Sequence, residues 1–238
     1  DLEMHNLYPL LLAKQMCLGF HEYTGRRTQI FTPSGHAGIQ KFSAIWAGDT
    51  GGGANTIAGL LNLSLSGVSN VCTDMEVHTK AGIHYGFLQP LAQAFSWHMY
   101  NQPWFLGTEK LELYRFYAQL RYSLLPYIYS MAHKARCTGM PMMRAMPLLY
   151  PELPESDKCL TQYMLGDSLL VGVFEEKIFL PPGKWYDFWT DELYEGNRWI
   201  DAKFPENRAG CLFVKAGSII PRQIPGEFAG TESPEIIF

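Results

Sequence analysis

The sequence predicts an α/β region followed by an all-β region, with the change near residue 140. Three observations carry that prediction. Short apolar runs alternate with stretches of helical spacing as far as residue 135. Two of those runs end in a carboxylate, Asp49 after residues 42–46 and Asp74 after residues 68–73. From Pro141 onward the helical spacing gives way to short apolar runs separated by turn residues.

Residues 5–20 place Leu7, Leu10, Leu11, Met16 and Leu18 at helical spacing, with Gly19 near the expected end. Residues 28–32 predict a strand stopped by Pro33-Ser34-Gly35. Residues 42–46 predict the next strand and residues 54–65 the next helix. Gly67 opens a strand over 68–73 that ends at Asp74, and residues 86–94 read as mixed helix and loop. The longest helix is predicted over 108–135. Thr108 caps it, Glu109 suits its first turn, Pro126 kinks it and Gly139 follows it. Tyr114, Tyr117, Tyr122, Tyr127 and Tyr129 read as packing residues of that helix. In the second region, residues 168–174, 177–183 and 211–217 predict strands of an antiparallel sandwich.

Composition narrows the function. The 238 residues are 47% apolar and 18% charged, which describes a chain that buries a core. The net charge is -4 and no basic run exceeds Arg26-Arg27, so nucleic acid is excluded as a partner. No apolar stretch approaches the roughly 18 residues of a membrane span. The five cysteines, Cys17, Cys72, Cys137, Cys159 and Cys211, are far apart and form no CxxC. They read as buried thiols without metal or disulfide and lean toward a reducing compartment. His78 and His84 lack the partners of a metal site, and no cofactor is expected. The opening Asp1-Leu2-Glu3-Met4 reads as the interior of a longer protein.

In a parallel α/β sheet the carboxyl ends of the strands face a cleft, so Asp49 and Asp74 are expected to share one rim. Two readings of Asp49 stand side by side: a catalytic carboxylate, or a cap for the helix that starts at Ala54. Asp49-Thr50-Gly51 also matches the core of an aspartic-protease motif, but no second Asp-Thr-Gly exists to share a proton with it. No Lys-Ser or Lys-Thr follows Gly51-Gly52-Gly53, which rules out a phosphate loop. The sequon at Asn62 falls within the helix over 54–65 and reads as unused. His98, among aromatics, is either a satisfied structural histidine or a partner for a hydroxyl group. Carboxylates beside Trp and Tyr faces suit carbohydrate chemistry.

Four segments then stand out in order: Trp46-Ala47-Gly48-Asp49, Gln102-Pro103-Trp104, residues 120–129 (LRYSLLPYIY) and residues 180–189 (LPPGKWYDFW). Together they resemble glycoside hydrolase family 31, the α-glucosidase and α-xylosidase family. The resemblance runs from His5-Asn6-Leu7-Tyr8 to Pro221. It implies the C-terminal half of a (β/α)8 TIM barrel over residues 1–140 and an antiparallel β-sandwich domain over residues 141–238. It also implies a retaining hydrolase of terminal α-linked sugars with Asp49 as general acid/base. The family's nucleophile lies in an upstream Trp-x-Asp-Met-Asn-Glu segment that this sequence does not contain. The chain therefore reads as a fragment, inactive alone, whose partners are a glycoside substrate and either the missing N-terminal half or a second copy.

Asp74 and His98 match the positions that hydrogen-bond sugar hydroxyls, and Trp46 and Glu76 fall at the same pocket. The pattern around His98 departs from the family's Arg-Asn-His. Pro33 replaces an Arg before Ser34-Gly35, and Asp74-Met75-Glu76-Val77-His78 replaces Asp-Ile-Gly-Gly-Phe. Losing a guanidinium removes a clamp on hydroxyls, and Glu76 with His78 adds polar groups. These departures imply a substrate other than a plain α-glucoside, such as an α-galactoside or an α-N-acetylgalactosaminide. The missing nucleophile also admits a non-catalytic sugar-binding or scaffold subunit of the same fold.

Overall fold

The computed structural model describes residues 2–48, 50, 52–94, 102–229 and 235–237. The chain opens with α1 (Leu2–His5) and α2 (Leu7–Thr24). Gly19 does not end α2. The helix runs on to Gly25, whose φ of 66° forms the left-handed cap. Little of α2 is covered: Tyr8, Leu12, Met16, Leu18 and Phe20 are exposed and only Ala13 is buried.

A parallel sheet follows, made of β1 (Phe31–Thr32), β2 (Ala44–Trp46) and, after α3 (Ala54–Leu65), β3 (Val71–Cys72). Thr32 lies opposite Ile45, and Trp46 opposite Cys72. The strands are shorter than the sequence predicts. Among the described residues β1 pairs on one side only. Asp74 does not end a strand; it begins β4 (Asp74–Met75), which pairs in parallel with β5 (Gln93–Ala94). Between them lies α4 (Lys80–Phe87), a helix that the sequence reading missed. Its glycines hid it, yet packing explains them. A Cβ on Gly86 would stand 2.2 Å from Met75 Cβ, and one on Gly82 2.1 Å from the Glu76 carbonyl oxygen. The helix presses on β4 so closely that only glycine fits. Thr79 caps it by accepting from the Gly82 N–H at 2.9 Å.

The long helix predicted over 108–135 is two helices, α5 (Thr108–Ser123) and α6 (Leu125–Thr138). Proline lacks the N–H a helix interior needs, so Pro126 sits in the first turn of α6 rather than inside one kinked rod. Gly107, not Thr108, is the N-cap of α5. Tyr117 and Tyr127 are buried as expected, whereas Tyr129 is exposed. Cys72, Cys159 and Cys211 are buried, Cys17 is half-buried and Cys137 is exposed, which corrects the expectation of five buried thiols.

The remainder holds β6 (Met143–Ala145), α7 (Met146–Leu149), β7 (Gln162–Leu165), β8 (Leu169–Gly172), β9 (Lys177–Leu180), β10 (Lys184–Asp187), β11 (Leu193–Glu195), β12 (Arg198–Asp201) and β13 (Cys211–Lys215). A terminal pair, β14 (Arg222–Gln223) and β15 (Ile236–Ile237), closes the list of strands. Six strands form one antiparallel sheet in the order β11-β10-β13-β8-β7-β6. One face shares a core with the helices through Tyr163, Leu165, Leu169, Val171 and Leu212. The other shares a second core with the β9–β12 ribbon through Met164, Leu170, Phe213 and Phe179. The side chain of Gln162 holds both backbone groups of Phe179, each at 2.8 Å, and so clips the ribbon to the sheet.

The two regions are also joined by buried polar contacts. Tyr127 Oη donates to the Leu165 carbonyl at 2.7 Å, and Tyr163 Oη to that of Leu88 at 3.0 Å. His84, fully buried on α4, lies against Gly210, where a Cβ would approach its ring to 2.4 Å. Its Nδ1 stands 2.7 Å from Tyr117 Oη, which accepts from the Ala209 N–H at 3.3 Å. The histidine ring and the tyrosine hydroxyl thus share one buried hydrogen bond.

Burial pushes the pKa of His84 down from 6.5 to about 3. The sign follows: between those values the unfolded chain takes up a proton that the fold refuses, so stability falls as pH drops below 6.5. At pH 5 the cost is about 2 kcal/mol, from ~1.4 kcal/mol per unit. Urea unfolding at pH 7 and pH 5 should show this loss, and His84→Gln should remove most of it. An unchanged pH dependence in the variant would refute the assignment.

Candidate active site

The carboxyl ends of β2 and β3 lie side by side, because the Ala47 N–H donates to the Cys72 carbonyl at 2.7 Å. There the indole Nε1 of Trp46 donates to Asp74 Oδ1 at 2.9 Å. The amide Nε2 of Gln93, on the neighbouring strand β5, donates to the same oxygen at 2.8 Å. Asp74 itself is 7% exposed, while Gln93 stands at the open rim. A carboxylate held by donors from both sides has one orientation, which suits an acceptor for a ligand hydroxyl. Trp46 serves Asp74 with its N–H.

Glu76 follows two residues after Asp74 and pairs with His78, Oε2 to Nε2 at 2.6 Å. It also leans over Gly52, whose φ is 68° and where a Cβ would fall 1.5 Å from Glu76 Cγ. The turn after β2 and the residues after β4 are thus in contact. Asp49 and His98 lie outside the described residues. The N-cap of α3 is Gly53, without a side-chain bond, and not Asp49.

Behind the rim lies a network that the sequence reading missed. Thr73 separates β3 from β4 and is buried. Its N–H donates to Gln89 Oε1 at 3.0 Å, and Gln89 Nε2 donates to its carbonyl at 2.8 Å. The glutamine side chain replaces a strand neighbour. Gln89 is fully buried in the turn after α4, and that turn is held by Arg121 of α5. Arg121 Nη1 donates to the carbonyls of Phe87 (2.8 Å) and Gln89 (2.7 Å), and Nη2 to that of Pro90 (2.8 Å). Burial pushes the guanidinium pKa down to about 10, which leaves it charged at neutral pH. The signal in the sequence was two glutamines, Gln89 and Gln93, set in the otherwise apolar stretch 87–95. A buried amide such as that of Gln89 needs partners, and here it finds them in the backbone of Thr73, while Gln93 at the rim serves the carboxylate.

Among the described residues no group of three or more His, Cys, Asp or Glu could hold a metal ion, and no helix is long and apolar enough to cross a membrane.

Two sequence models match. Residues 1–131 match the glycosyl hydrolases family 31 TIM-barrel domain, and residues 139–220 match the glycosyl hydrolase family 31 C-terminal domain. The chain belongs to glycoside hydrolase family 31. It is 33% identical to an α-xylosidase of Saccharolobus solfataricus, over 92% of this chain and 33% of that protein. It is 26% identical to α-glucosidase 2 of Bacillus thermoamyloliquefaciens, over 92% of this chain and 30% of that one. Among solved structures, the family 31 dextranase of Flavobacterium johnsoniae complexed with glucose matches with a TM-score of 0.88 at 27% identity. That match covers 98% of this chain and 33% of the dextranase. The family 31 chain described here thus spans about a third of the length of these relatives.

Proposed function

We propose that this chain supplies the acid/base side of a retaining α-glycosidase. The observation that carries the reading is the Trp46–Asp74–Gln93 cluster at the carboxyl rim of a parallel sheet, in a family 31 chain. In this reading residues 1–140 are the C-terminal half of the (β/α)8 barrel, and residues 141–238 the β-sandwich domain that follows it. Asp49 protonates the glycosidic oxygen as the leaving group departs, then takes a proton from the water that attacks the glycosyl-enzyme. The nucleophile is a second carboxylate about 5 to 5.5 Å away, as retention requires. On this reading it comes from the N-terminal half of the barrel. Asp74 and His98 hold sugar hydroxyls, and Trp46 gives the ring a flat face.

Glu76 and His78 put a paired carboxylate and imidazole where the turns after β2 and β4 meet. A carboxylate and an imidazole there suit an axial hydroxyl or an acetamido group, so an α-galactoside or α-N-acetylgalactosaminide is preferred over an α-glucoside. The test is hydrolysis of nitrophenyl α-glucoside, α-xyloside, α-galactoside and α-N-acetylgalactosaminide by the complete enzyme and by this chain alone. The complete enzyme should cleave one of them, favouring the galacto-configured pair, and the chain alone should be inert. Failure of every α-glycoside would end the reading. Equal or better turnover of the α-glucoside would end the sugar assignment, and turnover by the chain alone would put the nucleophile within it.

A further inference from the structure

Three hydroxyls near the rim form a chain with a single direction. Thr73 Oγ1 donates to the Gly48 carbonyl at 3.1 Å, which uses its proton. It lies 3.1 Å from Thr50 Oγ1, so there it accepts and Thr50 donates. Thr56 Oγ1, in the first turn of α3, directs its one proton at Thr50, with the hydroxyl oxygen at 2.9 Å and the carbonyl at 3.2 Å. The protons therefore run from Thr56 to Thr50 to Thr73 to the Gly48 carbonyl, an order in which each bond polarises the next. Gly48 and Thr50 flank Asp49 in the chain. At the far end Thr73 is itself immobilised, because Gln89 occupies both of its backbone groups.

We propose that Thr73 is a positioning residue for acid/base catalysis, its hydroxyl fixing the two residues on either side of Asp49. This rests on the reading of Asp49 as the acid/base. A general acid must sit within hydrogen-bond reach of the leaving oxygen, and a misplacement of about 1 Å costs on the order of 100-fold. A backbone held through a buried, fully bonded threonine is a rigid mount for such a group, whereas a glycine-rich turn alone is not.

The test uses the complete enzyme and two substrates of one sugar that differ in leaving group. A dinitrophenolate leaves with little help from an acid, and methanol needs a proton. Thr73→Val keeps the shape and removes the hydroxyl. It should lower kcat/KM by about 100-fold on the methyl glycoside and only about threefold on the dinitrophenyl glycoside. Thr73→Ser, which restores the hydroxyl, should recover most of the loss. Thr50→Val, at an exposed residue, breaks the same chain one link earlier and should show the same split. It decides the matter if Thr73→Val does not fold. Equal losses on both substrates, or none, would overturn the proposal. Asp49→Ala separates the two failures. If it shows the leaving-group split and the threonine variants do not, only the positioning role falls. If Asp49→Ala keeps full activity on the methyl glycoside, the acid/base reading itself falls.

Discussion

Replacing Arg121 with alanine should destabilise the fold by about 3 kcal/mol. The guanidinium closes a turn by donating to three carbonyls, those of Phe87, Gln89 and Pro90. Without it three acceptors in a tight turn must find other donors. An unpaired buried acceptor costs about 1 to 3 kcal/mol, and water entering the partly exposed site recovers some of the sum. Lysine should rescue poorly, because one ammonium on a flexible stem cannot reproduce a planar fork that spans three carbonyls. Urea unfolding measures both variants at pH 7. A loss under about 1 kcal/mol for Arg121→Ala would mean that the turn holds without its clamp.

In the complete enzyme, Asp49→Ala should cost about 10² to 10⁴ in kcat/KM on substrates with poor leaving groups. The same variant should be rescued by azide on an activated substrate. Azide attacks the glycosyl-enzyme without needing a base, so it replaces the second half of the Asp49 role and yields an α-glycosyl azide. Rescue with retained configuration ties the residue to the acid/base position. An inverted azide, or an active Asp49→Ala enzyme on the methyl glycoside, would place the acid elsewhere.

How much of this could be read from the sequence depended on whether the signal was local. The helix over 54–65 was legible because its apolar spacing and its neighbours agree, and α3 has those bounds. The antiparallel strands were legible because each apolar run is flanked by turn residues; β8, β9 and β13 fall inside the predicted runs. What failed was decided by partners far along the chain. Gly82 and Gly86 look like helix breakers until β4 is seen pressed against them. Asp74 looked like the end of one strand because nothing local shows that Thr73 is paired with a glutamine side chain instead of a strand. Of the two carboxylates read from the sequence, Asp74 lies beside Trp46 although it begins a strand instead of ending one, and Asp49 lies outside the described residues. Its supports, Gln89, Gln93 and Arg121, were not, because each acts through a backbone group or a side chain of another element. Gln162 makes the same clip in the second region, so the device appears on both sides of the molecule.

On our reading of the barrel, the edge that β1 leaves unpaired among the described residues and the exposed apolar side chains of α2 would make the protein separable. A strand that adds to β1 meets the same hydrogen-bonding edge whether or not a peptide bond connects it to this chain. On our reading of the barrel, the halves could be made as two polypeptides and mixed. The peptide link then sets only the effective concentration at which they meet, and activity would report their association.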